Sequence, residues 1–397
     1  MKSERSWGRL GMKYKTYTME DALDAIIDYR GKTPKKSESG IPTLSAKTVR
    51  NNFIDYNNCY YISEEEYKRF MVRGFPKVGD ILLTTEAPLG MTAKLNRADV
   101  ALAQRLLTLR GKSDILDNDY LLYFLQSPKG QHLLKSHETG TTVTGIKQAV
   151  FRKLEISIPS ITIQKQIDII LSSIDEKISV NTKINENLEQ QAQALFKDMI
   201  KDVQEQVPFT SIIQVLGGGT PKTGKQEYWN GEIPFFTPKD VGSPYVLKTE
   251  KSITHLGLNN CNSRLYPVNT VFLTARGTVG KVSLAGVPMA MNQSCYALAG
   301  KNGLHQIIVY QYVRETVKAL KHKASGAVFD AIITRDFDTE NIPELSSEQI
   351  DGYIAVAEPI YSEIRNRTFE NQRLATLRDT LLPKLMNGEI DVSEVKI

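Results

Sequence analysis

Residues 164–201 read QKQIDIILSSIDEKISVNTKINENLEQQAQALFKDMIK. Positions 167, 171, 174, 178, 181, 185, 188, 192, 195 and 199 carry Ile, Leu, Ile, Ile, Asn, Asn, Leu, Ala, Leu and Met. Steps of four and three alternate, so these positions share one seam of an α-helix. All but the two Asn are apolar or small, no Gly or Pro interrupts, and Lys, Glu, Gln, Asp and Asn cover the rest of the circumference. Such a helix extends roughly 55 Å at about 1.5 Å per residue. It is too long and too narrow-seamed for one wall of an ordinary core. The pattern therefore predicts pairing with a second helix of equal length, against the alternative of a solvated helix with an apolar stripe. Asn181 and Asn185 on the seam fix the register at some cost in stability.

The segments on either side of this helix resemble each other. Gly31-Lys-Thr-Pro-Lys35 matches Gly218-Gly-Thr-Pro-Lys222, Ile41-Pro42 matches Ile233-Pro234, and Lys47-x-Val49 matches Lys239-x-Val241. Val78-Gly-Asp-Ile-Leu-Leu-Thr84 matches Val268-Asn-Thr-Val-Phe-Leu-Thr274, Gly90 matches Gly280, and Gln104 matches Gln293. Lys135-Ser-His137 before Gly140 parallels Lys321-His-Lys323 before Gly326. Ile158-Pro159 matches Ile342-Pro343, and Gln166-Ile-Asp168 matches Gln349-Ile-Asp351. The offset stays between 183 and 192, too long for a solenoid period. It indicates a duplicated module, a globular half followed by a long helix.

The second helix is expected from about Ser347 to Asn387, with a seam of Tyr353, Ala357, Ile360, Ile364, Arg367, Asn371, Leu374, Leu381 and Leu385. Pro359 should kink it or divide off a short first piece, Pro383 should break its last turn, and Gly388 supplies a stop. The two helices are natural partners, in an antiparallel or crossed pairing. Each globular half shows short apolar runs of strand length, such as Asp80–Thr85 and Thr270–Thr274. Helical patterns are fewer, at Asp119–Leu125, His132–Lys135 and Gln306–His322. This reads as α+β.

With 397 residues, two or three domains are expected. The 50 Lys and Arg against 45 Asp and Glu leave a net charge of +5, which permits a nucleic-acid partner without demanding one. Cys59, Cys261 and Cys295 are odd in number and far apart, so neither structural zinc nor a disulfide framework is expected. No apolar run approaches the ~18 residues of a membrane span. Residues 1–13 read as an N-terminal extension without a signal-peptide core, with Met12 an alternative start.

Catalytic templates fail. Gly219-Thr-Pro-Lys-Thr-Gly224-Lys225 fits GxxxxGK, the loop that cradles nucleotide phosphates. Gln226 stands where Ser or Thr should hold magnesium, Pro221 removes a backbone donor, and Glu-Tyr-Trp-Asn-Gly231 reads as a turn rather than a helix. His132, His137, His255, His305 and His322 lack metal-ligand spacing. Ser294-Cys295 has no GxSxG elbow, and Glu64–Glu66 reads as a solvated helix start. No catalytic residue and no metal ligand is expected. The sequence favours a binding protein.

The run Gly217-Gly-Gly-Thr-Pro-Lys222, Glu227-Tyr-Trp-Asn-Gly231 and Ile233-Pro-Phe-Phe-Thr-Pro-Lys-Asp240 resembles the start of a target recognition domain of type I restriction-modification specificity (S) subunits. The tail Leu381-Leu-Pro-Lys-Leu-Met-Asn-Gly-Glu-Ile390 resembles the end of that subunit's distal conserved helix. The resemblance implies target recognition domains at 14–160 and 206–344, a central conserved helix at 161–205 and a distal one at 345–392, paired as an antiparallel coiled coil. It implies a non-catalytic, cytoplasmic reader of a bipartite, asymmetric site in double-stranded DNA. It further implies docking of two methyltransferase (M) subunits and two restriction/translocase (R) subunits, with S-adenosylmethionine, ATP and magnesium on those partners and no cofactor on this chain. The candidate DNA contacts are Lys32, Thr33, Lys35, Lys47 and Arg50 in the first half, and Thr220, Lys222, Lys225, Lys239 and Arg276 in the second. Gln104 and Gln293 could read adenine or serve as buried structural amides. Glu86 replaces Arg276 in the first half, so that position does different work in the two. The rivals are a coiled-coil scaffold without DNA reading and an S-like subunit of a modification-only system.

Overall fold

The computed structural model describes residues 5–6, 13–140, 144–242, 244–323 and 330–395. Most of the expected N-terminal extension, Met12 included, and Gly326 lie outside the described residues. Arg5–Ser6 form an antiparallel pair with Lys13–Tyr14. The chain divides into two compact units, residues 1–176 with 374–397, and residues 177–373.

In the first unit a four-stranded antiparallel sheet runs in the order Leu23–Asp28, Leu106–Gly111, Ile81–Thr84, Thr92–Lys94. Its central run is apolar on both faces because both faces are covered. Ile81 and Leu83 join the core formed with the helices Asn118–Gln126 and Pro128–Lys135. Leu82, pointing the other way, joins the core of a second sheet. That sheet orders Ala101–Leu102, Ile41–Leu44 and Tyr60–Ile62, the first pair parallel. Lys13–Thr18 pairs with Glu155–Ile158 and closes the globular part.

The second unit repeats this plan. Ile213–Gly217, Cys295–Gly300, Val271–Thr274 and Val282–Ala285 form the same antiparallel order, with Tyr245–Val246 added in parallel at the edge. Val271 and Leu273 face the helix Gln306–Lys323, and Phe272 faces the other core. Lys251–Ile253, Trp229–Phe236 and Ala290–Met291 make the second sheet. Gln206–Pro208 closes against Asn341–Pro343.

The central helix is Ile161–Ile200 and the distal helix Ser347–Met386. Inside the first unit, Arg378 Nη1 meets Asp175 Oδ1 at 2.6 Å, and Ile167 and Leu171 share a core with Leu382, Leu385 and Met386. Inside the second unit, Asn181 Nδ2 donates to Asn371 Oδ1 at 2.9 Å and to Glu370 Oε2 at 2.7 Å. Asn185 Nδ2 reaches Ile364 O at 3.3 Å, and Tyr353 Oη donates to Ala192 O at 3.1 Å. Within each unit, rising numbers on one helix meet falling numbers on the other, so the pairing is antiparallel.

Three details depart from the expected pattern. Leu195 is exposed, and Phe196 takes the inward place against Tyr312 and Tyr353. A straight helix drifts ~20° per heptad against a strict seven-residue repeat, which moves the seam by the fourth heptad. The distal helix continues through Pro359 and is not divided. Pro359 and Ala355, whose carbonyl loses its helical donor, are both exposed, where the lost bond costs least. Pro383 does not break the last turn either, since Asn387 N donates to Pro383 O at 3.0 Å.

Candidate nucleic-acid interface

In the second unit four loops that are distant in sequence meet beyond the sheets. The glycine-rich loop enters where Gly219 N donates to Met291 O at 3.1 Å. A Cβ on Gly218 would sit 2.2 Å from Asn292 O, so only Gly allows this approach. Thr220 Oγ1 then donates to Gln293 Oε1. Ser294 O accepts from Ala275 N at 2.9 Å and Arg276 N at 3.2 Å, which brings in the loop after Val271–Thr274. That loop is tied to the fourth: Thr278 Oγ1 donates to Pro238 O at 3.0 Å, beside Lys239. Asp240 shapes the fourth loop by accepting from Thr237 N and Oγ1, each at 2.7 Å. Thr220, Lys239, Arg276 and Gln293 thus come to one place. The GxxxxGK run cradles no helix start: it leads into a 3₁₀ turn, Gln226–Tyr228, and the strand Trp229–Phe236.

The first unit builds the same cluster with other side chains. Gln104 Nε2 donates to Thr33 Oγ1, with donor and acceptor exchanged relative to Thr220 and Gln293. Ala103 N donates to Leu44 O at 2.8 Å, just before the Lys47 turn, as Asn292 N does to Phe236 O at 3.0 Å. Thr85 N donates to Arg105 O at 3.0 Å. Gln104 is half-buried and Gln293 exposed, and each holds a loop threonine, so neither is a buried core amide.

The ten candidate residues are all exposed. Among the described residues, Lys32, Lys35, Lys47, Lys222 and Arg276 have no carboxylate at ion-pair distance. Lys225 pairs with Glu227 at 3.3 Å and Lys239 with Glu250 at 3.6 Å, both half-exposed or more. Glu227 lies below the usual carboxylate range, held there by a backbone hydrogen bond and by Lys225. Arg50 curls onto its own turn, its Nη1 donating to Lys47 O at 3.0 Å and Val49 O at 2.8 Å. Cys295 beneath them is buried, and its thiol is pushed up to about 12 by that burial and by Asp240.

One constellation was not foreseen. Asp117 and Asp119, at the start of the helix Asn118–Gln126, bring carboxylate oxygens within 4.8 Å of each other and of Asp168 on the central helix. Lys94 sits 2.6 Å from Asp119 and supplies part of the counter-charge. The Asp-x-Asp pair was visible in sequence, but Asp168 joins it only through folding.

A family profile described as "Type I restriction modification DNA specificity domain" matches residues 13–190 and 202–351. The type I restriction enzyme MjaIX specificity subunit of Methanocaldococcus jannaschii is 25% identical over 392 residues, covering 89% of this chain and 88% of that one. A putative MjaX specificity subunit of the same organism is 22% identical, covering 97% and 95%. The crystal structure of a type I restriction-modification S subunit from M. genitalium matches with a TM-score of 0.56 at 14% identity, over 94% of this chain and 96% of that one, which shows a shared fold. The chain therefore belongs to the type I restriction-modification DNA specificity family, as a specificity subunit: the non-catalytic, DNA-recognising component of such a system.

Proposed function

We propose that this chain reads double-stranded DNA at a site in two parts, one part for the loop cluster of each unit. The observation that carries this reading is the duplication of the cluster with altered chemistry. Both copies tie a Thr-Pro-Lys loop to a glutamine and surround it with exposed cations, yet one has Glu86 where the other has Arg276. Two unlike readers on one chain favour an asymmetric target. Lys32, Lys35, Lys47, Lys222, Lys225 and Lys239 contact phosphates, with Thr33, Thr220, Arg50 and Arg276 beside them. Releasing Lys225 and Lys239 from their carboxylates costs little, since exposed pairs are worth about 0–1 kcal/mol. Each wrong base pair costs ~1–3 kcal/mol, so two readers together discriminate far better than one.

The paired helices set the gap between the two half-sites and dock two methyltransferase subunits, through which two restriction/translocase subunits join. Exposed apolar side chains on the helices, Val180, Leu195 and Val356 in one unit and Leu377 in the other, support a docking role. S-adenosylmethionine, ATP and magnesium then belong to the partners, and the assembly works in the cytoplasm. Among the described residues, no helix is long and apolar enough to cross a membrane.

The test is methylation-motif mapping in cells carrying this chain with the methyltransferase subunit of its host, with and without the gene. A two-part motif that vanishes with the gene is expected. Duplex binding should weaken steeply with salt, and each phosphate-contacting Lys→Ala should flatten the logarithmic slope by about 0.9. A salt-insensitive association with protein alone, and no motif, would sink the DNA reading.

A further inference from the structure

The position that differs most between the two clusters carries more than a change of charge. Glu86 and Arg276 occupy the same place on the same turn. Gly90 N donates to Thr84 O at 3.0 Å, and Gly280 N to Thr274 O at 2.8 Å. Thr84 Oγ1 donates to Pro88 O, as Thr274 Oγ1 does to Thr278 O. Each residue also forms an isolated antiparallel bridge, Glu86 with Gly145 and Arg276 with Ala331. Opposite them stand Arg105 and Ser294, the residues that follow the two tying glutamines. In the first unit the facing pair is Glu86 and Arg105, joined through Arg105 Nε and Glu86 Oε1 at 2.7 Å. In the second it is Arg276 and Ser294, and Arg276 has no ion-pair partner among the described residues.

The Glu86–Arg105 pair is poorly explained as a stabilising device. Arg105 is 51% exposed, and a half-exposed pair contributes little. Its backbone lies in the left-handed region, with φ at 68°. Of the other non-glycine residues in that region, Asn52, Asn230, Asn269 and Asn302 are Asn, which tolerates the conformation better, and Ala87 lies in the Glu86 turn itself. Strain of this kind is characteristic of functional sites. Glu86 is the inner member at 24% exposed, and Arg105 the outer. The terminal nitrogens of Arg105 have no hydrogen-bond partner among the described residues, so one edge of the guanidinium can still donate.

Building on the proposed DNA reading, we propose that Arg105, oriented by Glu86, reads a guanine in the part of the site assigned to the first unit, whereas Arg276 at the corresponding place in the second unit contacts a phosphate. A guanidinium edge matches O6 and N7 of guanine in the major groove. The carboxylate cancels the charge that would draw the arginine to the backbone and fixes the plane of the fork. Arg276 keeps its full charge and lacks a carboxylate to hold its plane, which suits phosphate.

The experiment uses the full chain with its methyltransferase subunit, read by motif mapping and by selection from a randomised duplex library. The double variant E86Q/R105N keeps the net charge and places Asn in the left-handed turn. It should lose preference for guanine at one position, by roughly ten- to a hundredfold, with the salt slope unchanged. R276Q should weaken all sequences alike and flatten the slope by about 0.9, with the motif intact. Should E86Q/R105N fail to fold, R105Q, which removes the guanidinium and leaves Glu86 in place, should show the same loss of guanine preference. An unchanged motif in the first-unit variants overturns the assignment of Arg105, and a changed motif in R276Q overturns that of Arg276. A wild-type chain with no motif at all overturns the DNA reading itself, so the two failures are distinct.

Discussion

Replacing Asp168 by Asn should stabilise the first unit at about pH 8 and change it little near pH 4. Asp168 stands on the central helix facing Asp117 and Asp119, with its Oδ1 buried and unbonded. Burial, followed by repulsion from Asp119 and Asp117, pushes its carboxyl up from 3.8 to about 7, against weaker pulls from Lys94 and Ser172. A carboxyl with a raised folded pKa binds its proton more tightly folded than unfolded. Its contribution is therefore fully present below about pH 4 and is lost as the pH rises through about 7. A shift of about three units at 1.36 kcal/mol each sets an upper bound near 4 kcal/mol. The group is only partly buried, and solvent screening reduces this to ~2 kcal/mol. Asn keeps the shape and cannot ionise. Amide hydrogen exchange in residues 161–176 and 118–126, variant against wild type at the same pH, is the assay. Exchange should slow roughly 30-fold at about pH 8 and by less than about twofold near pH 4. Equal slowing at both values, or faster exchange at the higher one, would refute the reasoning.

The two seam asparagines should respond oppositely. Asn181 is fully buried, donates to Glu370 and Asn371, and accepts from Arg367 at 3.0 Å, so N181L should cost ~2–4 kcal/mol by stranding charged partners. Asn185 makes two long bonds and leaves Oδ1 buried and unpaired, so N185L should be neutral or stabilising by ~1 kcal/mol. Denaturation of the second unit, followed by Trp229 fluorescence in a W7F background, distinguishes them; losses of equal size would count against this account. G218A should weaken duplex binding ~10-fold, because its Cβ would strike Asn292 O and push the Thr220 loop from Gln293, with only ~1–3 kcal/mol lost from stability. Unchanged binding would show that loop to be uninvolved. Inserting seven residues into each long helix where the compact units divide, after Glu176 and after Arg373, keeps the seam and adds about 10 Å at 1.5 Å per residue. The gap between methylated half-sites should grow by about three base pairs; an unchanged gap would refute the role of the helices as spacer.

Much of this molecule is legible in its sequence. The four-three seam through Asn181 and Asn185, the matched Thr-Pro-Lys loops, the paired strands ending at Thr84 and Thr274, and the doubled layout are all local signals. A helix seam needs only periodicity, and a strand buried on both faces needs only a short apolar run between turns. The tertiary structure decided the rest. Phe196 displaced Leu195 because Tyr312 and Tyr353 wait on one side of the helix. Pro359 stayed inside one helix because the bond it forfeits lies on the exposed side. Asn118 and Gln306, unlike in type and unmatched in sequence, each clamp a glycine amide and a neighbouring carbonyl across the sheet, Gly111 and Gly79 in one unit and Gly300 and Asn269 in the other. Arg105 found Glu86, and Asp168 found Asp117, across gaps in sequence that carry no periodic signal. Sequence records what each segment prefers by itself. Which side chains meet across loops is set by sheet register and helix packing over tens to hundreds of residues, and that is where the reading surface is made.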